Sequence, residues 1–182
     1  AIDASAFVSN TADSRGGAIF NTGSGSAVTL TNNSLVQANT ALSDGGGIAN
    51  ESAGRVAIDA STVTSNTAVF EGGGIFNNSG GSLTIEASTV ASSRAGGNGG
   101  AIFNRAGGRV VIDSSTVTAN TSGRRGGVLF STGSSSAITV TNSSLVQNSA
   151  NNGGAFAQDD GTTRITASCI VQNSDTAVNY AG

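Results

Sequence analysis

The acidic residues are the side chains of this sequence best suited to chemistry, because it contains no His, the commonest general base, and one Cys. Asp3, Asp59, Glu86 and Asp113 each follow an alternating apolar run, and Thr31 and Thr141 fill the same place elsewhere. On stacked strands such carboxylates lie close enough to share a calcium ion, which takes oxygen ligands at about 2.3–2.6 Å. Asp59, Glu86 and Asp113 are therefore a candidate metal column. The simpler expectation is a solubilising stripe whose repulsion Arg55 and Arg109 relieve. Asp159 and Asp160 are the one adjacent acidic pair. Inverting glycoside hydrolysis needs two carboxylates held several ångström apart as acid and base. This pair sits instead in the Gly-terminated turn QDDG, with no His or Lys to complete a cleft. The chain is expected not to be an enzyme, with no catalytic residue and no cofactor. Cys169 has no partner for an intrachain disulfide and no companions for a thiolate metal site, and reads as a turn or core filler.

Amides, hydroxyls and rings recur in columns as well. Asn10, Asn39, Asn66, Asn120, Asn148 and Asn173 form one, with Ser93 in the missing place, and Asn21, Asn50, Asn77 and Asn104 form another. Amides stacked at turns bond to one another and to bent backbone, so both columns are expected to be structural ladders rather than sugar-gripping sites. Thr62, Thr64, Thr116 and Thr118 flank a core position, the arrangement of a water-ordering surface. The second Thr column is broken by Val36, Ala91 and Val146, which leaves an ordinary strand surface. Phe20, Phe76, Phe103 and Phe130 each follow an apolar residue assigned to the core, so strand alternation points them the other way. They are expected to form an exposed stripe for lateral contact.

These columns require a repeating element. GGAIFN (16–21) recurs as GGGIAN (45–50), GGGIFN (72–77), GGAIFN (99–104), GGVLFS (126–131) and GGAFAQ (153–158), at offsets of 29, 27, 27, 27 and 27. A second block recurs in phase: VTLTNNSLVQAN (28–39), VAIDASTVTSN (56–66), LTIEASTVASS (83–93), VVIDSSTVTAN (110–120) and ITVTNSSLVQN (138–148). The apolar residues alternate over short runs rich in Val, Ile and Thr, which is the pattern of strands and not of helix. Glycine pairs and SGGS-like stretches supply the turns. The spacing predicts an all-β, single-stranded, right-handed parallel β-helix of about seven coils, each 27–29 residues with three short strands. Its core is expected to comprise the column Ile19, Ile48, Ile75, Ile102, Leu129 and Phe156, paired columns such as Val56/Ile58 and Leu83/Ile85, and the column Phe7, Leu35, Val63, Val90, Val117, Leu145 and Ile170.

The net charge of −3 with only eight basic residues, all Arg, argues against nucleic acid as a partner. No apolar run reaches the roughly 18 residues that cross a bilayer, and no targeting segment opens the chain, so membrane insertion is not expected. The GGAIFN motifs followed by STVxxNTA resemble the GGAI and FxxN repeats of chlamydial polymorphic outer membrane proteins and of other secreted bacterial β-helix passenger domains. That resemblance implies a secreted, cell-surface protein with adhesive or structural roles. Cell-surface glycans and matrix are candidate partners.

Residues 1–182 are expected to form one solenoid domain, uncapped at both ends, because NYAG at the finish reads into AIDAS at the start much as NESAGRVAIDAS does internally. Copies are then expected to stack head to tail, Ile2, Asp3 and Ala4 against Val178, Asn179 and Tyr180, as a filament or surface layer. The alternative is a monomeric carbohydrate-binding or polysaccharide-processing β-helix, or a fragment of a larger adhesin.

Overall fold

The structure is a computed structural model that describes residues 1–175. It is a parallel β-solenoid: three seven-stranded sheets and one six-stranded sheet run its length, and every pairing joins equivalent strands of successive coils in parallel. The described chain makes six complete circuits and the first three strands of a seventh. The third coil is representative, with strands at Arg55–Asp59, Thr62–Thr64, Thr67–Ala68 and Ile75–Asn77. Each coil thus holds four strands, not the expected three. The additional one is a two-residue strand such as Thr67–Ala68 or Arg94–Ala95, too short to display an alternation in sequence. No helix among the described residues is long and apolar enough to cross a membrane.

Each coil sends a few β-branched or leucine side chains inward, and the columns they form are the core. Leu30, Ile58, Ile85, Ile112 and Val140 stack in one, and Ile48, Ile75, Ile102 and Leu129 in another, all at 0–1% exposure. Burying each such side chain contributes about 1.5–3 kcal/mol before chain entropy is subtracted.

One column departs from the expectation by a residue. Phe7 and Val63 both pair with Val36, which is fully buried, while Leu35 lies half-buried beside Thr62. The cause is the corner before it. Later coils turn there through a single left-handed residue, Ala60 or Ala87 for example, whereas the second coil uses two, Asn32 and Asn33, with φ of 53° and 61°. The added residue shifts the next strand by one position, and in a strand a shift of one exchanges the faces.

Three polar ladders brace the corners. In the first, the side-chain nitrogen of Asn39 donates to Asn66 Oδ1 at 3.0 Å and that of Asn120 to Asn148 Oδ1 at 2.9 Å, and in the place without an amide the Ser93 hydroxyl accepts from the Asn66 backbone N–H while the Ser93 backbone N–H donates to Asn120 Oδ1. In the second, Asn21, Asn50, Asn77 and Asn104 each donate along the column, the first three to the next amide at 2.8 Å and the last to the Ser131 hydroxyl at 3.3 Å. The third is made of serine: the backbone N–H groups of Ser61, Ser88 and Ser115 donate to the hydroxyls of Ser88, Ser115 and Ser143 at 3.0–3.1 Å. Serine is common at every turn of this sequence, so the third ladder carries no distinguishing signal. Only the coil register reveals it.

Candidate functional site

The side chains that stand apart from the core gather around the fourth sheet. Phe76, Phe103 and Phe130 do point away from the main core, as alternation requires, but they are 2–4% exposed and form a second buried cluster with Ala49. The exposed stripe expected from the sequence is therefore not present at these three rings. Phe76 and Phe103 stack with centroids 5.6 Å apart and planes 3° from parallel, and Phe103 meets Phe130 at 5.5 Å. The glycine-rich loops entering the fourth strands pack against the backbone of those strands: a Cβ at Gly72, Gly99 or Gly126 would lie 2.2–2.4 Å from the carbonyl oxygen of Ile75, Ile102 or Leu129. At Gly45 even a methyl group would come within 3.1 Å of the Phe76 Cβ. Phe20 alone of the four is open, 53% exposed beside a cavity of about 430 Å³ that it lines with Ser14 and Arg15.

Where the aromatic column is interrupted by alanine, an arginine from the preceding coil occupies the space. At Ala49 it is Arg15, whose guanidinium lies 5.8 Å from the Phe76 centroid and pairs with Glu51 at 2.5 Å and Asp44 at 3.5 Å. At Ala157 it is Arg125, 5.1 Å from the Phe130 centroid and bonded to both carboxylate oxygens of Asp159 at 2.8 Å. In both cases the arginine precedes its own coil's Phe by five residues and the acid follows the Ala by two. A cation over a ring face is worth about 0.5–2 kcal/mol, which suits the end of a ring stack. Asp159, half of the acidic pair singled out in the sequence, is committed to this clasp.

The candidate calcium column exists as geometry. Glu86 pairs in register with Asp59 on one side and Asp113 on the other. Asp113 accepts a hydrogen bond from the Asn142 amide at 3.2 Å, and Asp3, farther along, accepts from the Thr31 hydroxyl at 2.8 Å. Among the described residues, no group of three or more His, Cys, Asp or Glu side chains is arranged to hold a metal. The second threonine column is interrupted as expected at Ala91 and Val146, which pair with Thr64 and Thr118, but the one-residue shift of the second coil puts Gln37 opposite Thr64 and turns Val36, expected in this column, into the core. Cys169 is an exposed free thiol, not a core filler.

Among the described residues, one carboxyl is perturbed. Glu71, in the loop over the aromatic column, has its pKa raised by burial. Hydrogen bonds from the Asn98 backbone at 2.6 Å and side chain at 3.2 Å act against that rise, Asp44 reinforces it and Arg124 opposes it. The other oxygen of this neighbour, Asn98 Oδ1, is buried without a hydrogen-bond partner. Glu71 followed by a glycine triplet reads in sequence as an ordinary turn, so nothing there marks it out.

Of the expected self-association residues, Ile2 and Asp3 pair with Leu30 and Thr31, and Ala4 is a left-handed corner with φ of 43°. Val178, Asn179 and Tyr180 lie outside the described residues. No protein-family model, curated protein or solved structure matches the chain.

Proposed function

We propose that this chain is a structural rod that works outside the cell, as a segment of a surface layer, filament or adhesin, with shape and stiffness as its working properties. The observation that carries this reading is the use made of its polar side chains. Three amide and hydroxyl ladders run from coil to coil along the corners, and their donors and acceptors are satisfied by the neighbouring coil. Polar groups committed in this way hold backbone geometry and leave the corners no reacting constellation. The likeness of the GGAIFN repeats to secreted passenger domains supports the extracellular setting.

Within this reading, coils of separate copies pair by the same parallel strand edges that join coils within a copy, giving a head-to-tail filament. Electron microscopy of the purified chain across a concentration series tests it. The expected result is rods that lengthen with concentration, on an axial repeat near seven strand spacings, roughly 34 Å. Ile2→Pro, which removes a ladder donor from the first strand, is expected to shorten them. Rods that keep one length at every concentration would reject the filament.

A further inference from the structure

The outer face of the first sheet carries charges of both signs that the chain itself does not pair. On the third to fifth coils its outward positions are Arg55, Ala57 and Asp59, then Ser82, Thr84 and Glu86, then Arg109, Val111 and Asp113, and the parallel register stacks them as three columns. The residues between them in each strand, Val56 and Ile58 in the third coil, point into the core at 1–2% exposure. One outward column is therefore basic, one is acidic, and the column between them is small and uncharged. Four residues along a strand hold the two charged columns about 13 Å apart, too far for an arginine to pair with the acid of its own strand. Among the described residues, no ion pair engages Arg55, Arg109, Asp59 or Glu86. Asp113 accepts from the Asn142 amide on Oδ1 alone, at 3.2 Å.

Within each column like charges stand one or two strand spacings apart, about 4.8 Å or twice that, and repel. A surface that brings cations to the acids and acids to the arginines relieves both columns together. This face is such a surface for itself. A two-fold rotation about an axis parallel to the rod lays the arginine column of each copy over the acidic column of the other, Arg55 on Asp59 and Arg109 on Asp113, with the Ser82 hydroxyl opposite Glu86. A rotation carries no translation, so every coil meets its own equivalent. A two-fold along the strands would instead set arginine on arginine and acid on acid, so charge selects parallel rods.

We infer that two copies of this chain pair side by side and parallel through the outer faces of their first sheets, an isologous contact. The occupant is a second copy because both halves of the complement stand unpaired on one face of one chain. The small central column, Ala57, Thr84 and Val111, lets the two sheets approach. The contact is small and joins exposed charges, so the pairing is weak, transient and strongest at low ionic strength. It gives the structural rod a lateral contact and does not depend on end-to-end stacking.

Cross-linking reads the direction. In a Cys169→Ser background, Ala57→Cys is expected to give a dimer on a non-reducing gel after mild oxidation, because the rotation sets residue 57 of one copy opposite residue 57 of the other. Val111→Cys is expected to do the same, and Thr64→Cys, on the outer face of the second sheet, to stay monomeric. Antiparallel rods would leave the first two monomeric alone and link them only when mixed, a result that would overturn the parallel two-fold. Sedimentation equilibrium in an Ile2→Pro background, which removes end-to-end stacking, reads the charges whether or not the filament forms. Arg55→Glu with Arg109→Glu is expected to weaken the dimer at least about tenfold, as is Asp59→Arg with Asp113→Arg. An equimolar mixture of the two charge-reversed chains is expected to restore it, which also shows that both are folded. Dimerisation unchanged by either reversal, a mixture that stays monomeric, equal cross-linking at Thr64→Cys, or a chain that remains monomeric up to about 0.5 mM at low ionic strength would overturn the pairing itself.

Discussion

At the scale of single residues, the contrast between Asn66 and Ser93 shows what a ladder position does. Asn66 accepts from the Asn39 backbone and side chain, both at 3.0 Å, and donates to the Val36 carbonyl at 3.0 Å. Asn66→Ala strands a buried donor and a buried acceptor, and is expected to cost about 2–6 kcal/mol in urea unfolding, at roughly 1–3 kcal/mol for each unsatisfied group. At Ser93 the shorter hydroxyl reaches the Asn66 N–H only at 3.4 Å. Ser93→Asn completes the amide run and is expected to raise stability by about 1 kcal/mol, read as a higher melting temperature. Glu71 makes the pH dependence. Its raised pKa means that the folded chain keeps a proton the unfolded chain, near 4.5, has already released. Stability from this group is therefore full below that value and is lost as pH rises through the folded pKa. Glu71→Gln is expected to flatten the pH profile of melting across that window and to melt higher than the parent at neutral pH.

At the scale of elements, the corners and the fourth sheet decide most of the geometry. Ala60 and Ala87 hold left-handed φ of 43° and 45°, a conformation that costs a residue with a Cβ about 1–2 kcal/mol. Ala87→Gly is expected to stabilise by up to about 1 kcal/mol in thermal melts, since the relief of that strain outweighs the entropy glycine adds to the unfolded chain. In the fourth sheet, Phe103 packs between two rings at 5.5–5.6 Å and is 4% exposed. Phe103→Ala is expected to cost about 3–5 kcal/mol, whereas Phe20→Ala, at an open position, should stay within about 0.5 kcal/mol. The sequence supplied the direction of these rings correctly through alternation. It did not supply their burial, because that depends on rings of successive coils stacking on one another and on arginines closing the ends of the stack, and no local period records such contacts.

At the scale of the whole molecule, each coil meets chiefly the coils before and after it, the Arg15 guanidinium over the Phe76 ring two coils on being an exception, so stability is close to a sum of neighbour terms. Ile85 is fully buried between Ile58 and Ile112. Ile85→Ala is expected to cost about 2–5 kcal/mol. In hydrogen exchange the lost protection should be confined to the coils bearing those three residues, whereas a single globular core would spread it across the molecule.

What the sequence alone determined is the periodic part: parallel strands, the coil length, the inward columns and the two asparagine ladders. All of these repeat, and stacking repeats places like upon like. What only the tertiary structure decided is whatever a repeat cannot encode by itself. The fourth strand, Thr67–Ala68 in the third coil, is too brief for a pattern and exists because its neighbours hold it in register. The exchange of Val36 for Leu35 results from one added corner residue. The pairing of each clasp arginine with its acid and the stacking of the covered rings join residues whose separation in sequence spans a coil or more. Their contacts are set by which coil lies next to which, and by the few ångström that glycine leaves free between them.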